Sequence, residues 1–417
     1  MMIVRSSIAR FALVSLLPVA GQANEALKLL EQEADSSKNI YEEAAELAVP
    51  RKDVKVAEEK VESVDPFLSE RWGTELDPKF PIQAGRETRV APRGLFEYQH
   101  QDRSVGGGTK LGRARVGAAV ETLYGIELQA DALLSSSGKY EGWETLKASV
   151  PVGQSARLHV GKLPLPFSTE YSRDAAVRWF PTLSPFAAQL APASTTGAMF
   201  EGRTKQGDWK LGWFGSEADR SLPVFEGKGA LLVSLARSHN KGGEKGAPQA
   251  HFQRWHLDYL YNMEGSRSET IPQGYRHLVS LGSQYSSGGF DFFTELLAAK
   301  GASNMAYGVT AAGRYWLLQD AISLVARYQY ARSQDPGGIV SYWGIPATGS
   351  DAIFPTDFPA ATVAGQMSSL YSGVNIHLDD DNLIIGSGLE YRSLSEVGED
   401  NNSPSSWGWT TFIRYAF

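Results

Sequence analysis

The chain contains no cysteine, which removes thiolate metal sites, thiol nucleophiles and disulfide scaffolds together. It contains no run of 18 apolar residues, so a membrane-spanning helix is excluded. An excess of basic residues is missing too: 40 Lys and Arg stand against 47 Asp and Glu, a formal charge of −7, where a nucleic-acid binder would need a basic footprint. One route across a bilayer survives these absences, a closed barrel of alternating strands whose average hydropathy is unremarkable. What is present fits a folded chain: 417 residues, 42% apolar and 21% charged, enough for a sizeable buried surface and too apolar for a disordered polymer.

Residues 1–23 read as a signal peptide, with Arg5 and Arg10 ahead of the apolar run Phe11 to Ala20 and small residues at Gly21-Gln22-Ala23. The mature chain is therefore expected outside the cytoplasm. From Asn24 the composition turns to Glu, Lys and Ala, with Leu27, Leu30, Ala34, Tyr41 and Ala44 near helical spacing until Pro50 interrupts. Only about two heptads fit, too few for a coiled coil. A solvated helical or linker extension over 24–86, placed in the periplasm, is the expectation. The first 86 residues hold 11 basic and 15 acidic side chains, which leaves 87–417 nearly neutral.

Beyond Arg86 the hydrophobic period is two. Ile126, Leu128, Ala130 and Ala132 alternate with Glu127, Gln129 and Asp131; Ile322, Leu324, Ala326, Tyr328 and Tyr330 alternate with Ser323, Arg327 and Gln329. Alternation alone fits a soluble sandwich as well as a membrane barrel. Three features favour the barrel. Aromatic residues such as Trp143, Tyr259, Tyr261, Tyr315, Tyr391, Trp407 and Tyr415 sit near strand ends, where an interfacial girdle uses them. Connections alternate between short and long. The chain ends on an alternating strand, WGWTTFIRYAF, closed by Phe417. The signals define sixteen strands near 93–101, 109–121, 124–134, 141–150, 156–163, 195–202, 208–216, 228–237, 254–262, 275–285, 290–299, 304–316, 321–332, 367–378, 382–393 and 406–417. Residues 238–254 are long and charged where a short turn is due, which leaves fourteen or eighteen strands open. The expected fold is an all-β, transmembrane antiparallel β-barrel over 87–417.

Catalytic and metal motifs are weak. The seven histidines form no HExxH pair, and no G-x-S-x-G elbow occurs. Gly106-Gly107-Gly108-Thr109-Lys110 lacks the spacer and ending of a phosphate loop and reads as a hairpin connection. Asp379-Asp380-Asp381 lacks the ligand spacing of a calcium loop and reads as a turn. No cofactor and no enzymatic activity are expected.

Gly112 to Ala132 (GRARVGAAVETLYGIELQADA), Ala156 to Tyr171 (ARLHVGKLPLPFSTEY) and the Phe-terminated last strand resemble the phosphate-selective porin O and P family of bacterial outer-membrane channels. Val160, Gly161, Pro166 and Phe167 carry the stretch that opens the family's third loop. The resemblance covers roughly 110–417. It implies a sixteen-stranded, homotrimeric outer-membrane porin whose third loop narrows the lumen, passing small hydrophilic solutes or anions such as phosphate. Its implied partners are outer-membrane lipid and, through the Phe417 strand, the barrel assembly machinery. The 31 residues from Pro164 to Ser194 fall between strands five and six, where that loop belongs. They carry Arg173 and Arg178 against Glu170 and Asp174 and no lysine, a departure from the basic pore of phosphate-uptake members. Charged side chains at the narrowest point set selectivity. The constriction and lumen candidates are therefore those four loop residues with Arg113, Arg115, Glu127, Asp131, Lys147, Arg157, Arg327, Glu390, Arg392 and Arg414, several of which could equally pair across strands. Two alternatives stay open: a barrel enzyme of phospholipase or protease type, and a plugged barrel anchoring the envelope.

Overall fold

The computed structural model of the chain describes Ile82–Gln83 and most of 88–417; residues 1–81, 84–87, 104–107, 173–177, 217–224, 242–250, 265–273, 335–337, 342–361, 379–381 and 396–404, with several shorter gaps, lie outside the described residues. The expected signal peptide and nearly all of the extension fall outside, as do Arg173, Asp174 and the triple aspartate.

Sixteen antiparallel strands close into a barrel. They are β1 (Thr88–Arg103), β2 (Gly108–Thr122), β3 (Glu127–Leu134), β4 (Tyr140–Val152), β5 (Ala156–Leu163), β6 (Thr195–Thr204), β7 (Gly207–Phe214) and β8 (Ala230–Lys241), then β9 (His251–Asn262), β10 (His277–Ser287), β11 (Phe290–Lys300), β12 (Met305–Leu318), β13 (Ile322–Ser333), β14 (Gln366–Leu378), β15 (Leu383–Ser395) and β16 (Ser405–Ala416). Each pairs with the next, and β16 returns to β1 from Gly408↔Arg103 to Ala416↔Leu95. The short strand Ile82–Gln83 adds to the start of β1, and a separate ribbon joins Ile339–Ser341 to Thr362–Ala364 within the β13–β14 connection.

All sixteen expected strands occur, and the differences lie at their ends. β1 begins five residues earlier than expected because Pro92 does not stop it. Pairing with β16 ends at Leu95, so Pro92 lies where β1 is hydrogen-bonded to β2 alone and its missing N–H leaves no gap there. The segment that clouded the strand count resolves as well. β8 runs through Lys241, β9 starts at His251, and the two pair along their whole lengths.

The alternation is inverted relative to a soluble core. Leu128, Val160, Phe200, Leu211, Leu257, Leu296, Leu324, Leu370 and Ile413 point outward and are exposed, while Glu127, Asp131, His159, Asp258, Glu295, Arg327 and Arg414 point inward and are buried. An outward apolar belt of this kind is stable only against hydrocarbon. The two-residue connection Gly288–Gly289 needs positive φ at both positions (65° and 79°), which glycine adopts without strain. At the closure the Phe417 carbonyl accepts from Gly94 N–H (2.9 Å), and the Phe417 ring covers Gly94 so closely that any Cβ there would collide with it.

Candidate functional site

β5 ends at Leu163, and the following segment, 164–194, turns into the barrel. An irregular backbone inside a closed wall must find partners for its polar groups, and here the wall supplies them. The first anchor is α1 (Thr169–Ser172) with Ser168, held in a left-handed conformation at φ 76°. Ser168 N–H donates to Asp258 (3.1 Å) and its hydroxyl to Glu295 (3.0 Å), and Thr169 N–H also donates to Glu295 (2.5 Å). The Thr169 hydroxyl lies 2.9 Å from His256 Nε2. Ser234 and Ser280 complete the carboxylate shells from β8 and β10.

The second anchor is five consecutive carbonyls. Arg414 donates to Arg178 O and Phe180 O, Asn375 to Trp179 O (2.8 Å), Gln99 to Pro181 O (3.0 Å) and Arg327 to Thr182 O (2.7 Å). Glu170 binds the Arg327 guanidinium and accepts from Ser184 N–H (3.0 Å), so it ties the two ends of the loop to one cation. Glu97 neutralises Arg414. The third anchor is apolar. α2 (Pro185–Leu190) buries Phe186, Ala187 and Leu190 in a cluster with Leu163, Leu165, Phe167, Leu232, Leu260, Leu278, Leu297 and Met367, drawn from the long-loop ends of the strands.

The polar anchors come from β8 round through β16 to β1. The wall from β2 to β7 joins the apolar anchor through Leu163, Met199 and Phe214, and it bears a row of alternating charges. Lys147 and Arg157 flank Glu127 at 3.6 and 3.5 Å, His159 and Lys210 flank Glu201 at 3.1 and 3.4 Å, and Asp131 answers Arg93 at 3.6 Å. Arg157 keeps 32% of its side chain exposed, whereas Arg327 under the loop keeps 1%. Water therefore reaches Arg157 and not Arg327, while Glu127, Asp131, Lys147 and His159 are buried in the wall. Tyr171 and Arg178 bring the loop near the charges of this wall. Arg178 donates to Tyr171 O (3.1 Å), and the Tyr171 phenol lies within electrostatic reach of Arg178, of Arg113 on β2 and of Glu144 on β4, itself paired with Arg115 at 3.1 Å. Burial pushes the Tyr171 phenol up to about 12, with the Glu144 carboxylate adding to the rise, so it stays protonated as a hydrogen-bond donor.

The expected lumen residues thus separate into groups. Arg113 and Arg178 lie within electrostatic reach of the Tyr171 phenol, as does Glu144, which pairs with Arg115, while Glu127, Asp131, Lys147 and Arg157 belong to charge pairs along the wall. Glu170, Arg327 and Arg414 lie between loop and wall as anchors, and Arg392 pairs with Glu390 along β15 at 2.7 Å. Arg173 and Asp174 lie outside the described residues. Sequence reasoning missed Tyr171, Glu144, Glu201, Lys210 and the His256–Asp258–Glu295 group. Glu295 had a visible signal, since it falls opposite in parity to Phe292, Thr294 and Leu296 in a strand whose other charges, Asp291 and Lys300, stand near its ends.

No protein-family model matches the chain. No curated protein matches it either. Solved structures do resemble it. An anion-selective porin from Comamonas acidovorans superposes with a TM-score of 0.53 at 10% identity, covering 79% of this chain and 100% of that one. OmpF of Salmonella typhi, in complex with daunomycin, gives 0.53 at 9% identity over 81% and 100%. The trimer form of OmpT, an outer membrane protein of Vibrio cholerae, gives 0.51 at 12% identity over 79% and 99%. At such identities the likeness concerns the fold, and that fold is the sixteen-stranded barrel of outer-membrane porins.

Proposed function

We propose that the chain is an outer-membrane channel for passive diffusion of small hydrophilic solutes, working as a homotrimer and favouring anions, phosphate among them. The observation that carries this reading is the inverted barrel: an apolar exterior encloses inward charged side chains and a loop anchored inside, with Arg157 left partly exposed among them. A polar path bounded by an apolar exterior is what passive diffusion requires. The preference for anions is supported by Arg113, Arg115 and Arg178, three cations near Tyr171 against the one carboxylate of Glu144. In this reading the short turns face the periplasm, residues 1–23 are removed on export, the extension up to residue 86 stays on the periplasmic side, and the Phe417 strand engages the assembly machinery.

An enzymatic barrel would need hydroxyl, imidazole and carboxylate open to substrate. Thr169, His256 and Asp258 do converge, but each is less than a tenth exposed beneath the loop, where they act as an anchor. Purified protein in planar bilayers should give stepwise conductance, and silent bilayers with folded protein would overturn the channel reading. Across a salt gradient the Arg113→Ala, Arg178→Ala double variant should shift the reversal potential toward cations. An unchanged potential would remove these arginines from the filter.

A further inference from the structure

At the long-loop end of β10 to β13 the outward face departs from its apolar rule. Lys300, the last residue of β11, stands directly opposite His277 on β10 and Met305 on β12, and Arg332 on β13 stands opposite Tyr307. Their inward neighbours Leu278, Ala299, Ala331 and Ser333 are buried, so by strand alternation His277, Lys300 and Arg332 lie on the outer surface. All three are at the long-loop end. Among the described residues neither Lys300 nor Arg332 has a charge partner. At this end of β9 to β14 no acidic residue shares the outward parity. β1, by contrast, places Asp102 outward at the same end, so the basic rim belongs to one sector.

Aromatic rings fix the depth of the patch. Tyr259 and Tyr307 are outward and more than a third exposed, and the Tyr259 hydroxyl lies 2.8 Å from His277 Nδ1. Such rings collect at the boundary between hydrocarbon and headgroup. Lys300 and Arg332 lie at that boundary with long stems that reach along the apolar surface and carry the charge into the headgroup layer. Two cations with no counter-ion among the described residues, at headgroup depth on the long-loop side, fit a negatively charged partner held in the outer leaflet.

We propose that the rim formed by Lys300, Arg332 and His277 docks the phosphate of a phosphorylated glycolipid headgroup. This rests on the barrel being in a membrane and does not depend on conduction. The test is native mass spectrometry of the full detergent-solubilised chain titrated with lipid A and with its dephosphorylated form. The wild type should bind lipid A in preference. Lys300→Gln with Arg332→Gln should weaken that binding about 25-fold, fivefold for each cation, while Lys139→Gln, which removes an exposed cation from the β3–β4 turn, should leave it unchanged. Heat-modifiable gel mobility checks that the variants are folded. Equal binding of the dephosphorylated lipid, or undiminished binding by the double variant, would overturn the proposal. Silent bilayers would leave this result standing and remove only the channel reading.

Discussion

A guanidinium sealed beneath the inward loop has only its immediate neighbours to answer its charge. Arg327 has Glu170, the Thr182 carbonyl and the face of Phe180, whose ring centre lies 4.6 Å from the guanidinium carbon. Removing one partner of such a pair leaves an uncompensated buried charge, which costs more than the pair contributes. Glu170→Gln should therefore destabilise the barrel by about 3–5 kcal/mol. Urea unfolding in detergent micelles would show it as a lower midpoint. Glu170→Gln combined with Arg327→Met should recover much of the loss, because no unpaired charge remains. A double variant as unstable as the single would mean that the Arg327 bond to Thr182 O matters more than the ion pair.

At the scale of elements the loop 164–194 is held by its backbone at one end of the lumen and by its side chains at the other. The length of this segment and its place between β5 and β6 are legible in the sequence, because the alternation stops at Leu163 and resumes at Thr195. Its anchoring is not legible. Asp258 and Glu295 lie about 90 and 127 residues from Ser168, and no local pattern announces that two strand carboxylates will meet one turn of loop. Gly282 on β10 is part of that fit, since a Cβ there would run into the His256 ring and the Thr169 hydroxyl. Gly282→Ala should push Thr169 off its anchor and leave the strand register intact. Hydrogen exchange read by mass spectrometry should then accelerate in peptides covering 165–172 while β10 stays protected. Unchanged exchange would mean that His256 can turn aside without cost.

Over the whole molecule the barrel closes on its own terminus. β16 pairs with β1, and Phe417 exchanges backbone hydrogen bonds with Gly94, so the ring of strands is complete within 88–417. Ile82–Gln83 adds to the start of β1, and the closed ring leaves no full strand edge for residues further upstream. Deleting residues 24–81 behind an intact signal should therefore leave single-channel conductance unchanged, measured in the same bilayers as the full chain. A lost or altered step size would assign those residues a part in the pore.

The sequence by itself determined the class of fold and the face each side chain takes, and it marked sixteen strands while leaving fourteen or eighteen open. Period-two alternation is a local property, and a slip of one residue would turn every apolar side chain inward. It also determined which charges face the lumen, among them Arg113, Glu127, Arg157 and Arg327. Only the tertiary structure decided what those charges do. Arg327 and Arg157 share the same inward parity, yet one is sealed under the loop and the other meets water. The difference lies in where an irregular segment finds partners for its carbonyls, and that depends on side chains arriving from β1, β13, β14 and β16 at once. Parity is written residue by residue, whereas which inward charge is sealed beneath the loop and which meets water is decided only after the ring has closed.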